Sequence, residues 1–312
     1  PDIRIKEMQR HRRLTKVKSQ IPYWVMLIIP LVFFFAVRYW PMYGLSIAFQ
    51  NYRIGDPFIG PDARWVGLKW FKQLFNNPNF PRLLRNTLTL NLLNLAISFP
   101  ISILFALLLN EIQIKWVRNM TANISLLPYF ISTVVIVAIM FNVFSVNDGL
   151  VNNVIKKLGG EPVSFLTSNE WFRPLYIGSG IWQNMGFNAV VFTAAISGID
   201  PNLYEAAALD GSTRIKNIFY ITIPCILPTI ITMLLLRIGN IMTVGYEKIL
   251  LMYTPATYEV SDVLSTYSYR IGLEGQKYSL SAAVSLMNSV INVILLVTAN
   301  RVTRKLSDTA LW

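Results

Sequence analysis

Six long stretches of this chain contain no Asp, Glu, Lys or Arg: residues 19–37, 86–110, 119–147, 174–199, 217–236 and 278–300. They are 19, 25, 29, 26, 20 and 23 residues long, and a helix needs roughly 20 mainly apolar residues to cross the hydrocarbon core of a bilayer. Each run is read as one transmembrane helix, with spans at about 21–40, 86–110, 119–144, 174–198, 217–241 and 278–300. The fold class expected is an all-α integral membrane protein with six crossings. A further uncharged run at 249–258 has ten residues and contains Pro255, which suits a loop or re-entrant segment. The composition agrees, because only 14% of the 312 residues are charged, about half the share usual in soluble domains.

Orientation follows from Lys and Arg, which accumulate in short cytoplasmic flanks. The first 18 residues carry Arg4, Lys6, Arg10, Arg12, Arg13, Lys16 and Lys18 against Asp2 and Glu7. After the last run, Arg301, Arg304 and Lys305 face only Asp308. Both ends are therefore placed inside, as an even number of crossings requires. Lys115 and Arg118 against Glu111 agree for the segment between spans two and three. The loop over residues 50–85 is the exception, with six basic residues against Asp56 and Asp62, but a loop of that length is translocated whatever its charge. The net charge of +12 thus reads as a topology signal, with the basic tail free to meet anionic lipid headgroups, and not as a nucleic-acid footprint. A basic tail over residues 1–20, one membrane domain over 21–304 and a short tail over 305–312 account for the chain. The first run is of full span length and is followed by Trp40 and Pro41, so it is read as helix one and not as a cleaved leader. A start at Pro1 without Met leads us to expect that some native N-terminal residues precede it.

Catalysis by this chain is not expected. Cys225 and His11 are the only Cys and His, which excludes a zinc site or a Cys–His pair, and no metal site or cofactor is assigned. No G-x-x-x-x-G-K-[ST] phosphate loop occurs, so any ATP is hydrolysed on another subunit. None of the six runs contains Asp or Glu, which an ion-coupled secondary transporter would need as buried carboxylates.

Between spans four and five, residues 200–228 read DPNLYEAAALDGSTRIKNIFYITIPCILP. Pro201 and Asn202 can open a helix, Glu205 to Leu209 are strong helix formers, and Asp210–Gly211 is a stop dipeptide. Two short helices joined at Gly211 are predicted at the cytoplasmic surface, running into span five at Pro224 and Pro228. The pattern Glu205–Ala206–Ala207, then Gly211, then Ile221, Ile223 and Pro224 resembles the EAA motif of ATP-binding cassette (ABC) importer permeases. Outside it, YEVSDVLSTYSYRIGL at 258–273 and the ending NRVTRKLSDTALW look like the branch of type I sugar permeases that handles complex oligo- and polysaccharides. The resemblance implies the type I permease fold, N-in and C-in, in a bacterial cytoplasmic membrane. It implies a second homologous permease subunit, two cytoplasmic ATPase subunits that carry the ATP and Mg, and an extracytoplasmic solute-binding protein. It also carries the ATPase-coupling role to Glu205, Ala206, Ala207, Ala208, Leu209, Asp210, Gly211, Ser212, Thr213, Arg214 and Lys216, and no further along the motif. The glycine serves as the hinge, in line with its tolerance of positive φ. The alternatives are an ion-coupled transporter, or a scaffold or channel subunit whose loop merely docks.

Candidates for a translocation path are polar residues at helical spacing. Span two carries Asn91, Asn94, Ser98 and Ser102, span four Asn184 and Asn188, and span six Ser281, Ser285, Asn288 and Asn292. Helix packing by small polar groups is preferred for spans two and six. A cavity is preferred for span four, where Trp182 and Gln183 adjoin Asn184 and a flat aromatic can stack on sugar rings. Arg237 follows the fifth run, with Asn240 one turn on, and a charge near bilayer depth is a functional candidate by default. With Tyr246, Glu247, Lys248 and Arg270 it could line the entry for an anionic cargo such as an alginate or pectin oligosaccharide; the alternative is an Arg that snorkels or pairs with Glu247 or with a partner subunit.

Overall fold

The computed structural model describes residue 20, residues 22–243 and residues 245–306. The basic N-terminal tail and the last six residues, to which the sequence assigned cytoplasmic tails, lie outside the described residues. Two compact units divide at Lys69/Trp70.

The first unit holds α1 (Pro22–Phe49), 28 residues long. Its winding loosens to a π turn over Phe35–Tyr39 and tightens to 3-10 geometry from Trp40. None of its most apolar window is buried. The chain after it is ordered by an antiparallel bridge between Gln50 and Trp65. Both the Gln50 side chain and Ser46 Oγ donate to the Phe58 carbonyl, at 2.7 and 3.0 Å.

All the regular elements among the described residues of the second unit are helices. Its main elements are α2 (Phe80–Glu111), α3 (Lys115–Leu126), α4 (Thr133–Phe144), α5 (Leu150–Lys157), α6 (Asn169–Ser197), α7 (Pro201–Leu209) and α8 (Arg214–Ile238). Four more follow: α9 (Tyr246–Met252), α10 (Tyr258–Ser261), α11 (Leu264–Tyr269) and α12 (Tyr278–Leu306). α2 and α6 form the most extensive helix pair, and three apolar cores surround it. Leu90, Ile136, Phe172 and Ile249 join α2, α4, α6 and α9. Leu83, Leu264 and Val284 join α2, α11 and α12. Phe99, Ala189, Phe192 and Ile226 join α2, α6 and α8.

Four helices, α1, α2, α8 and α12, are long and apolar enough to cross a membrane. The run at 119–144, expected as one span, is instead a pair of helices bent by 99°. The cause is local. After a 3-10 turn over Leu127–Phe130 that opens on Pro128, Ile131 and Ser132 take extended conformations, and Ser132 Oγ then caps α4 by accepting from Val135 N–H at 3.4 Å. Counting charges is blind to proline and to a cap. α6 has 29 residues, length enough to span, but its Gly, Asn, Gln and Ser content keeps it below the apolarity of the other four.

α6 approaches α3 at a glycine. A Cβ built on Gly186 would sit 2.2 Å from the Ser125 carbonyl oxygen, so no larger residue fits without parting the helices. Gly186→Leu is expected to destabilise the bundle by about 1–3 kcal/mol through this overpacking. Gly178→Ala on the same helix, where nothing lies within 4 Å, is expected to be neutral or stabilising; thermal unfolding in detergent compares the two.

Candidate functional site

Three adjoining cavities lie within the second unit, of about 240, 260 and 280 Å³, and Asn94 of α2 lines all three. In the smallest, α2 presents Asn94, Ser98 and Ser102, successive residues four apart on one helical face. α6 presents Gly180, Asn184 and Asn188, and the end of α8 adds Arg237. The second cavity adds Gln183, Glu247 and Lys248, and the third Asn91 and Asn240. The polar face of span two, expected to serve packing, therefore faces open volume. That of α12 does pack: Asn292 Oδ1 accepts from Met242 N–H at 2.8 Å, and Ser281 and Ser268 share a hydroxyl contact at 2.8 Å.

Within the helices the amides turn a nitrogen back onto their own backbone. Asn184 donates to Gly180 O at 2.9 Å and Asn91 to Thr87 O at 3.0 Å, which leaves each side-chain oxygen and a second N–H available. Ser98 is only 7% exposed and its Oγ has no hydrogen-bond partner, a buried polar group left over from packing.

Neither cation has an ion-pair partner among the described residues. Arg237 forms no ion pair among the described residues and does not reach Glu247; its guanidinium lies 5.7 Å from the centre of the Phe99 ring. Lys248 is buried with Nζ 5.4 Å from the Tyr176 ring centre and 3.5 Å from the Tyr176 carbonyl. Burial pushes its ammonium down to about 8, because charge is disfavoured out of water. Both are backed by an aromatic face, and neither is ion-paired among the described residues.

Three expected path residues lie elsewhere. Trp182 is half-exposed and lines none of these cavities, since one step along a helix from Ile181 rotates a side chain by about 100°. Tyr246 stacks on Tyr269 at 5.9 Å. Arg270 holds Asp262, Nη2 to Oδ2 at 2.8 Å, and Asp262 also accepts from Thr266 Oγ1 at 2.8 Å. Arg270 is thus a structural clamp on the α10–α11 segment. Arg82, Arg85 and Asn86 meet that segment, and Arg173 bonds Asn86; the sequence counted Arg82 and Arg85 only as loop charges and did not single out Asn86 or Arg173.

The coupling segment forms a sharp corner. Asp200 caps α7 by accepting from Asn202 N–H at 3.0 Å, with Pro201 in the first turn. At the other end Ser212 N–H bonds Ala207 O at 2.9 Å and Gly211 N–H bonds Ala208 O at 3.1 Å. These two bonds form a Schellman motif, and it places Gly211 at φ +73°. Thr213 Oγ1 then caps α8. The second short helix expected here is the first turn of α8 itself, continuous with the span. Tyr204 OH meets Thr222 Oγ1 at 2.9 Å and ties the two helices together. Leu209, 90% exposed, and Ile215, 68% exposed, stand among the exposed Glu205, Arg214 and Lys216.

Residues 98–308, from the middle of α2 through α12, match the family described as the binding-protein-dependent transport system inner membrane component. The chain belongs to this family. It is the permease subunit of an ABC importer. It is 39% identical over 308 residues to the polygalacturonan/rhamnogalacturonan transport system permease protein YteP of Bacillus subtilis (strain 168), covering 98% of this chain and 95% of that one. It is also 39% identical over 289 residues to protein LplB of the same organism, covering 92% and 90%. Among solved structures, a bacterial ABC transporter involved in the import of the acidic polysaccharide alginate matches at TM-score 0.85 and 40% identity, over 95% of this permease and 99% of that chain.

Because Asp262 is 2% exposed, Arg270→Leu is expected to strand a buried charge and cost the permease roughly 3–5 kcal/mol. Asp262→Asn combined with Arg270→Gln is expected to recover most of that loss; thermal unfolding of the single and double variants checks it.

Proposed function

We propose that this permease moves acidic oligosaccharides, fragments of uronate-rich polysaccharide, inward across a bacterial cytoplasmic membrane by ATP-driven alternating access. The observation that carries the cargo is the pair of cations, Arg237 and Lys248, that form no ion pair among the described residues, in cavities whose other polar lining is mainly amides and hydroxyls, with Glu247 the one carboxylate. Amides and hydroxyls exchange hydrogen bonds with sugar hydroxyls, and a cation near bilayer depth, as Arg237 is at the end of span five, calls for an anion. The relatives named for polygalacturonan and for the acidic polysaccharide alginate support the same class.

In this reading the permease crosses the membrane six times with both ends inside, and it pairs with a second homologous permease to enclose the path. Two ATPase subunits bind ATP and Mg and grip the α7–α8 corner through Leu209, Ile215 and the charges around them. An extracytoplasmic binding protein delivers the cargo. When the ATPases close, the Schellman corner moves as a unit, because its cap, glycine and Tyr204–Thr222 contact fix α7 to α8. Arg237 sits 23 residues along the same helix from Arg214, roughly 35 Å at about 1.5 Å per residue. A tilt imposed at the corner is thereby delivered to the cavity by one continuous element.

Purification from native membranes in mild detergent is expected to recover an ATPase and a second permease; recovery of the chain alone after cross-linking at Ser212 overturns the assembly. Glu205→Lys and Gly211→Pro are expected to abolish uptake while membrane insertion persists, read by transport and by membrane fractionation. The Lys248 ammonium, with its value lowered to about 8, is charged below that pH and neutral above it. The KM for an acidic cargo is therefore expected to rise as pH passes through about 8, and Lys248→Arg, which keeps its charge, is expected to remove that rise. Equal uptake of neutral maltodextrin, unaltered by Arg237→Ala, would refute the acidic cargo.

A further inference from the structure

The stretch from Tyr258 to Leu273 has no part in the cavities, yet it is held down by unusual charge. Glu259 of α10 receives Arg85 Nη2 at 2.9 Å and Arg82 Nη1 at 3.5 Å. Asn86, buried between them, donates to the Glu259 and Asp262 carbonyls at 2.9 and 3.0 Å and accepts from Arg173 Nη2 at 3.3 Å. Two guanidiniums thus meet one carboxylate, and a third, that of Arg173, is tied to the same place through Asn86 and has no carboxylate of its own among the described residues. Asp262 is not available to them, being taken by Arg270 and Thr266. Among the described residues no other carboxylate pairs with these arginines, and the buried Nε atoms of Arg82 and Arg173 have no hydrogen-bond partner. Arg82 and Arg85 are three residues apart on one helical face, where like charges repel.

We propose that Arg82, Arg85 and Arg173 form a second carboxylate site, which takes a uronate of the incoming saccharide and which Glu259 fills in its place. The proposal rests on the acidic-cargo reading. Guanidinium forks bind carboxylates in bidentate pairs, and the Glu259 pair is more than half exposed on both sides, so water and salt keep it weak and exchangeable. Location supports a station on the path. Arg173 lies near the start of α6, 24 residues before Ser197, roughly 36 Å from the end that leads into the coupling corner. Arg85 and Arg173 precede the cavity residues Asn94 and Gly180 on their own helices by nine and seven residues, roughly 10–14 Å. An oligosaccharide therefore spans both sites, and a monosaccharide does not. Displacement of Glu259 also releases one of the ties that bind α10 to α2, so arrival of cargo loosens this end of the bundle.

The test uses the whole complex in proteoliposomes with its binding protein, and initial uptake of an oligogalacturonate and of its neutral methyl ester. Wild type is expected to prefer the acid; no preference overturns the acidic-cargo reading itself. Arg173→Gln and Arg85→Gln are each expected to raise the KM for the acid about tenfold, the effect of one charge-assisted hydrogen bond, with kcat and the ester unchanged. Arg173→Lys is expected to restore part of the loss, and Glu259→Gln to lower the KM. If Arg173→Gln fails to insert, Arg85→Gln, at 58% side-chain exposure, carries the test. An unchanged KM, or equal losses for acid and ester, overturns the site while leaving the cargo class standing. So does a loss confined to docking of the saccharide-free binding protein, measured by pull-down, which assigns the arginines to that contact.

Discussion

Hydrocarbon offers no hydrogen bonds, so every polar group carried into the bilayer must find a partner within the protein or face water. In this permease that constraint sorts the polar side chains of the spans into two kinds. Most of those of α12 are consumed in packing, as when Asn292 accepts from Met242 and Ser281 meets Ser268, while Asn288 Oδ1 stays buried without a partner. Those of α2 and α6 satisfy part of their capacity on their own backbones and turn the rest toward open volume. At these cavities Ser98 Oγ is left without a hydrogen bond, and Arg237 and Lys248 without an ion pair among the described residues. A polar remainder at such depth persists where a ligand or water meets it, which is why the cavity and not the lipid-facing surface carries the chemistry.

The same economy of polar groups governs the corner between α7 and α8. Helix ends leave several N–H and C=O groups unpaired, and here Asp200, the Schellman pair at Gly211 and Thr213 take up the orphans at three successive termini. Gly211 is needed because its φ of +73° is one that a residue with a Cβ seldom adopts. The corner is consequently a stiff joint, and α8 joins it without a break to the cavity at Arg237. A push at one end and a charged side chain at the other belong to one element.

Much of this was legible in the sequence. Uncharged runs located the long helices, and Asp210–Gly211 marked the corner. The amides on span four pointed to the cavity that Asn184 and Asn188 line. What escaped detection depended on information that a charge count discards. Pro128 and Ser132 break one run into two helices at 99°, though both residue types are local signals of a helix end. Trp182 sits beside Gln183 in the chain but on another face of α6. The packing reading of span two missed that Asn94, Ser98 and Ser102 meet space and not a neighbour.

By itself the sequence determined that this chain is helical and apolar enough for a membrane, and where its coupling corner bends. Each of those properties is set by residues near one another in the chain: run length, caps and a glycine. Only the tertiary structure decided which polar residues converge, because convergence depends on how helices rotate against each other. Arg270 and Arg237 were both path candidates in the sequence, yet one is paired with Asp262 and the other has no ion pair among the described residues. Arg82, Arg85 and Arg173 are separated by up to 91 positions and become one cationic cluster only when α2, α6 and α10 pack at a common end.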